Sequence, residues 1–481
     1  MTITSSLSNA LSGLTAASRA AELVSSNVAN AQTEGYGRRE IVLASHRLGG
    51  VNVVGVRREV DMTVVQERRQ ADASVGYNGT IAEFYAGLER SLGTPDEPNS
   101  LSGRMAALES ALIEAQSRPD NAARLAAVRN AAADLAGKLN MASDAVQNAR
   151  MRADSAIAAQ VKSLGAGLER IQNLNYKIRE AEALGQDPSS FMDLRQQTVD
   201  EIASIVPLKQ ANREGGQIAL YTPGGAILLD GKAAALGFTG VGMIVPEMSK
   251  QSGALSGLSI NGTEVRTDGD RSQIHGGSLA ALFKLRDELA TNAQSRLDAV
   301  ARDLIERFEA PGVDPTLSPG EPGLFTDAGA ALDTSTELGL SSRISLNAMA
   351  DPSQGGELWR LRDGLGAATQ GDVGNTTLLH ALNTALTAER AANSGDFSGV
   401  FRSASGLAGD LLSRVGMERT AAEGQQAHAV AQQDSLTLME LETGVDTDHE
   451  MQKLMLIEQA FAANAKVIST VDAMLQAIMD I

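Results

Sequence analysis

Proline is confined to the middle of this chain. All twelve prolines lie between Pro95 and Pro352 of 481 residues, so 94 residues at the start and 129 at the end lack the strongest helix breaker. Both ends are therefore free to form long helices. Near the start, apolar residues fall at Ile3, Leu7, Ala10, Leu14, Ala17, Ala21, Val24 and Val28, an unbroken alternation of four- and three-residue steps that makes a coiled-coil seam. Near the end, Leu454, Ile457, Phe461, Asn464, Ile468, Val471, Leu475 and Ile478 write the same seam over almost the same length. Each predicts a helix of about 35–40 Å at about 1.5 Å per residue.

A single stripe cannot bury itself, and about 25 cal/mol is forgone for each Å² of apolar surface left in water. The economical arrangement sends the chain out through the first helix and back through the last. The two then pair antiparallel while their outer faces, Leu11 included, meet neighbouring copies. The plainer alternative is an intramolecular bundle with no assembly role. Asn464 is the one polar residue of the second seam; it either fixes register or turns to solvent or a backbone carbonyl.

Between the ends the pattern predicts a mainly α fold with a small antiparallel β subdomain. From Asn121 to Leu184 the seam Leu125, Val128, Ala132, Leu135, Leu139, Ala142, Val146 continues at Val161, Leu164, Leu168, Ile171, Asn175 and Ile178 with a slip near Arg150, giving one long helix or two stacked ones. A second block, Ser278 to Glu309, carries Leu282, Leu285, Leu289, Leu297, Val300 and Leu304 as a core stripe. The intervening segment changes period: Gln217–Tyr221 and Ala226–Leu229 flank Pro223-Gly224-Gly225, and an Asn261-Gly262 turn follows Ile260. The expected organisation is a terminal-helix domain (1–60 with 440–481), a helical middle domain (61–205 with 277–439), a β subdomain (206–276) and a Pro/Gly-rich loop (310–355).

Composition narrows function. With 41 Lys plus Arg against 59 Asp plus Glu, the formal charge of −18 disfavours nucleic acid and anionic membrane as partners. There is no cysteine, hence no disulfide, thiolate nucleophile or Cys-based zinc site. His46, His275, His380, His428 and His449 are scattered singly, and Gly49-Gly50 and Gly224-Gly225 are turns with no phosphate-cradle sequence after them. His449-Glu450 beside Asp446 and Asp448 reads as a solvated helix start. No catalytic, cofactor or metal site is expected. The N-terminus lacks the basic and apolar blocks of a cleavable secretory signal, and no stretch reaches eighteen apolar residues.

Several motifs carry a resemblance. Leu11-Ser12-Gly13-Leu14, Ser26-Asn27-Val28-Ala29-Asn30 and Gly35-Tyr36-Gly37-Arg38 at one end, with Gln459 through Leu475 at the other, resemble the flagellar rod, hook and hook-associated proteins of bacteria. Arg118–Arg124, Ile171–Ile178, Asp193-Leu194-Arg195-Gln196-Gln197 and Gly277–Asp287 resemble the hook-associated protein 1 family, which joins hook to filament. Larger members carry a β-rich outer domain that is absent or reduced at 310–355 here. Arg38-Arg39 and Phe461 also stand where that family usually has Arg-Gln and Tyr.

The resemblance implies a non-enzymatic junction subunit in the extracellular flagellum, exported unfolded through the flagellar type III apparatus. Its implied partners are copies of itself in a ring, the hook protein, a second hook-associated protein on the filament side, and an export chaperone at the C-terminal helix. Asn27, Asn30, Gly35, Tyr36 and Arg38 would then shape the connector to the middle domain. Leu7, Leu11, Leu14, Val24, Val28 and the C-terminal seam would carry subunit contacts. A distal rod or hook subunit, or a cytoplasmic coiled-coil scaffold, is the alternative.

Overall fold

The computed structural model describes residues 3–47, 49–269 and 271–480. The chain opens with α1 (Ile3–Ala29), followed by a ribbon of β1 (Arg38–Ser45) and β2 (Val51–Glu59). Four helices follow: α2 (Met62–Leu92), α3 (Leu101–Ser117), α4 (Ala122–Ala183) and α5 (Ser189–Ala203). The β region comprises β3 (Lys209–Asn212), β4 (Ile218–Tyr221), β5 (Ile227–Asp230) and β6 (Lys232–Ala233) in one antiparallel sheet. A second small sheet holds β7 (Leu236–Gly237), β8 (Ser259–Ile260) and β9 (Thr263–Glu264).

Next come α6 (Gly277–Lys284), a π-helical turn (Leu285–Leu289) and α7 (Ala290–Glu309). Short pieces then run through β10 (Phe325–Asp327), α8 (Leu340–Arg343), β11 (Ile344–Leu346), α9 (Arg360–Asp363), α10 (Thr377–Thr387), β12 (Arg390–Ala391) and β13 (Phe401–Arg402). The chain finishes with α11 (Ala404–Thr443) and α12 (Thr447–Met479).

The stretch from Asn121 is one helix of 62 residues, about 93 Å long. Asn121 caps it by accepting from the amides of Ala123 (2.9 Å) and Arg124 (3.4 Å). Buried positions step by consecutive fours at Ala142, Val146, Arg150 and again at Ala153, Ile157, Val161. Two such stutters unwind the seam without breaking the helix, which accounts for the slip near Arg150. Arg150 itself is buried, and its guanidinium donates to the carbonyls of Arg286 (3.1 Å), Val245 (3.2 Å) and Met248 (2.5 Å).

The second helical block departs from its expected stripe at Leu289, which is only partly buried. The π turn inserts one residue, so that Ala290 and Ala293 face the core in its place. The same turn seats Arg286, fully enclosed, on the Asp154 carboxylate at 2.7 Å and over the rings of Phe238 and Phe283.

The Pro223-Gly224-Gly225 turn joins β4 to β5, and Asn261 (φ 52°) with Gly262 (φ 80°) closes β8 onto β9. Asn175, predicted on the α4 stripe, reaches the sheet. Its amide donates to the Ile218 carbonyl (2.9 Å), and its oxygen accepts from the Ile218 amide (3.2 Å) and from Arg195 (2.8 Å).

Three expectations need correction. Residues 310–355 are a packed segment: β10 pairs with β11, Leu324, Phe325, Leu340, Ile344, Leu346 and Ala350 are buried, and the Phe325 ring meets Phe308 edge-on at 5.4 Å. Residues 356–403, placed in the helical middle domain, form only the one-turn α9, the eleven-residue α10, a one-turn 3-10 helix and a β12–β13 ribbon among those described, so the long helix resumes at Ala404, capped by Ser403. Residues 38–59, assigned to a helical domain, are the β1–β2 hairpin.

Candidate assembly surface and its connector

The terminal helices pair antiparallel. Asn27 on α1 bonds Glu450 on α12, and Gly13, fourteen residues back, lies against Asn464, fourteen residues on. A Cβ at Gly13 would come within 2.7 Å of the Asn464 amide nitrogen, so the two helices approach there as closely as glycine permits. Asn464 donates to the Ala460 carbonyl of its own helix (2.9 Å), which satisfies it within the seam.

The predicted seam residues divide into three groups. Val24 and Val471 are buried within this chain; they serve the helix pair itself, which corrects their placement on a surface between copies. Leu7, Leu14, Val28, Leu454, Ile457, Asn464 and Ile468 are half-buried. Leu11, Phe461, Leu475 and Ile478 are exposed.

Sequence reasoning missed a second stripe on α12. Leu456, Ala460, Ala463, Val467, Thr470, Met474 and Ala477 repeat by fours and threes, offset two to three residues from the first. At about 100° per residue the two stripes lie roughly 110° apart around the helix. All seven positions are exposed, with Leu456 at 65%, Val467 at 43% and Met474 at 52%. The signal was in the spacing, masked by the stronger β-branched and aromatic residues of the first seam.

Where α1 ends, the chain is pinned by a side chain with every hydrogen-bonding valence used. Buried Asn27 donates to the Arg39 carbonyl (2.9 Å) and to Glu450 Oε2 (2.9 Å), and its oxygen accepts from the Tyr36 hydroxyl (2.9 Å) and the Arg39 amide (2.9 Å). Glu450 is almost fully enclosed and also receives Lys453 at 3.4 Å. Asn30 ties back to the Ser26 carbonyl (2.9 Å), and Gly35 turns the chain at φ 74°. The Tyr36 ring lies 5.0 Å from the Arg39 guanidinium, and burial raises its hydroxyl pKa.

From this loop the contacts run to α5. Asp193 accepts from the Gly37 amide (3.0 Å), Arg39 (2.7 Å) and Arg58 (2.7 Å); Arg58 also donates to Gln196 (2.6 Å) and to the Gly35 carbonyl (3.0 Å). Gln197 donates to the Glu34 carbonyl at 2.6 Å. The expected role of Arg38 passes to its neighbour: the Nε of Arg38 is buried without a hydrogen-bond partner, while Arg39 and Arg58 carry the ion pairs. Strand alternation explains the exchange, since successive side chains leave opposite faces of β1.

On the middle side, Arg68 of α2 bridges Asp72 (2.6 Å), Asp200 (2.9 Å) and Glu440 of α11. Burial opposes its charge, yet Asp200, Glu440 and Asp72 together hold the guanidinium pKa above its usual range. Asp446 is an N-cap, accepting from the amides of Asp448 (2.9 Å) and His449 (3.1 Å). No group of three or more metal-ligating side chains gathers among the described residues, and no described helix is long and apolar enough to cross a membrane.

This arrangement has relatives. Residues 86–317 match the family described as flagellar hook-associated protein FlgK helical domain, residues 7–36 the flagella basal body rod protein family, and residues 442–481 the flagellar basal body rod FlgEFG protein C-terminal family. Flagellar hook-associated protein 1 of Bacillus subtilis is 23% identical across 98% of this chain and 97% of its own length. The protein of that name from Salmonella typhimurium is 28% identical across 48% of this chain and 44% of its own. Among solved structures, the flagellar hook junction protein FlgK from Burkholderia pseudomallei aligns with a TM-score of 0.43 at 19% identity, over 55% of this chain and 47% of that one. With rod-type ends bracketing the hook-associated helical domain in the order the sequence motifs require, the chain is similar along nearly its whole length to flagellar hook-associated protein 1.

Proposed function

We propose that this chain is a structural subunit of the junction between the bacterial flagellar hook and filament, and that it assembles through its terminal helices. The observation that carries the reading is the second stripe of α12. One face of the helix is occupied by α1, and the other presents Leu456, Val467 and Met474 to water around a floor of alanines. Each of these large side chains gains about 1.5–3 kcal/mol when a partner buries it fully. Ala460 and Ala463 let a second helix approach closely.

Copies of the chain in a ring supply that helix. The hook protein lies on one side of the ring and a second hook-associated protein on the other. Before assembly, an export chaperone covers α12, and the chain leaves through the flagellar type III apparatus with its leader uncleaved. The axial part comprises 1–60 with 440–481, and the contacts predicted for Leu11, Phe461, Leu475 and Ile478 fall on its outer surface. The helical middle favours this reading over a rod or hook subunit.

The test replaces Val467 by Asp in a cell lacking the native copy and looks for the protein in sheared flagella. Loss from the junction, with the isolated variant retaining wild-type helix content and melting, is the expected result. Normal incorporation of Val467→Asp and of Leu456→Asp would sink the reading.

A further inference from the structure

The terminal unit, residues 3–59 with 446–480, meets the rest of the molecule through very little. Two short covalent crossings join them: Val60-Asp61 between β2 and α2, and Gly444-Val445-Asp446 between α11 and α12. Each ends in an aspartate that caps the next helix, so a rigid element starts afresh on the far side. Both leave from the same end of the α2–α11 pair, where Arg68 meets Glu440. Two neighbouring crossings define an axis and leave rotation about it free.

The restraint on that rotation is polar. The principal apolar core takes in residues from Phe84 to Val415 and no described residue of the terminal unit. Among the described residues, the side-chain hydrogen bonds and ion pairs that span the boundary converge on one turn of α5, at Asp193, Gln196 and Gln197. Arg39, Arg58 and Asp193 keep 17%, 12% and 12% of their side chains in water. Water at the edge of the cluster can therefore receive the guanidiniums when they let go, whereas an apolar interface would have to expose its whole area.

We infer that Asp193 is the pin of a releasable joint: while it holds Arg39, Arg58 and the Gly37 amide, the terminal helix pair has one angle to the middle domain, and when it lets go the pair swings about the two crossings. The joint itself follows from the contacts; its use, adjusting one subunit to neighbours of different pitch, rests on the junction reading.

The chain has no cysteine, so Ser18→Cys on α1 and Ser163→Cys on α4, both exposed, accept a pair of spin labels on the full chain. Pulsed electron resonance on this protein is expected to show one narrow distance. Asp193→Asn, which keeps the volume and removes the charge, is expected to lose that single peak while helix melting of the middle domain is unchanged. Arg58→Gln acts from the terminal side and leaves α5 intact, and it should broaden the same peak. A single narrow distance retained in both variants, or a broad distribution already present before substitution, overturns the joint. Failure of the assembly reading is distinct: Val467→Asp would then incorporate normally, with its label distance unaffected.

Discussion

The middle of the molecule and its two ends use the same kind of helix and finish it differently. Along α4 the stripe from Leu125 to Ile178 is covered by α3, α5, α6 and α7, and residues such as Leu139, Leu168 and Ile171 have no contact with water. Along α12 the same period leaves Val471 as the one apolar residue buried among those described. A heptad therefore states that a helix needs a partner and says nothing of where the partner comes from. What separates the regions is the supply of neighbours: α4 is covered by several helices of its own chain, while the described residues of α12 pack chiefly on α1.

The sharpest contrast should come from the buried charges of the middle. Asp154→Ala takes the buried carboxylate from the enclosed Arg286, which keeps Asp287, and leaves the Val241 amide without its acceptor, at an expected cost of about 3–5 kcal/mol in denaturant unfolding. Leu168→Ala, a cavity on the α4 stripe, should cost about 2–5 kcal/mol by the same measurement. Asn27→Ala leaves the buried Oε2 of Glu450 and the Arg39 amide without the Asn27 side chain, a loss of about 1–3 kcal/mol. That loss should show as faster hydrogen exchange in α1 and the hairpin, with the middle domain protected as before.

A pH series probes the middle domain from another side. Burial raises the Asp298 pKa despite bonds from Ser341, Gly339 and Gln294, so between its unfolded and folded pKa the native state holds more protons than the unfolded chain. Its contribution to stability should therefore fall as pH rises through that window, and the slope difference should vanish in Asp298→Asn. The smallest effect is expected at Leu456→Ala, within about 0.5 kcal/mol in the isolated chain because nothing covers the side chain there. A large loss at Leu456 would break the comparison, since it would mean that the chain already buries the second stripe.

Period and turn chemistry made much of this readable in advance. The seams, the Asn121 cap, the Pro223-Gly224-Gly225 hairpin and the Asn261-Gly262 turn are encoded within a few residues of where they act. The β1–β2 ribbon escaped because Ile41-Val42-Leu43 and Val51–Val56 were absorbed into a neighbouring helix assignment, although Gly49-Gly50 was recognised as a turn. The π turn escaped because one inserted residue changes which leucine faces inward without changing composition. The connector was half legible. Asn27, Asn30, Gly35 and Tyr36 act locally, while Asp193 meets Arg39 across 154 positions of sequence, a separation no local pattern spans.

The unbroken α4 gives the joint at its foot a long reach. Asp193 is on α5, which packs beside the C-terminal turns of a rod of about 93 Å, so each degree of tilt there carries the distant Asn121 end through about 1.5 Å. A few degrees of play among inner helices would become side-chain-sized displacements at the periphery, and the outer surface of the subunit would register, magnified, how its axial helices are seated.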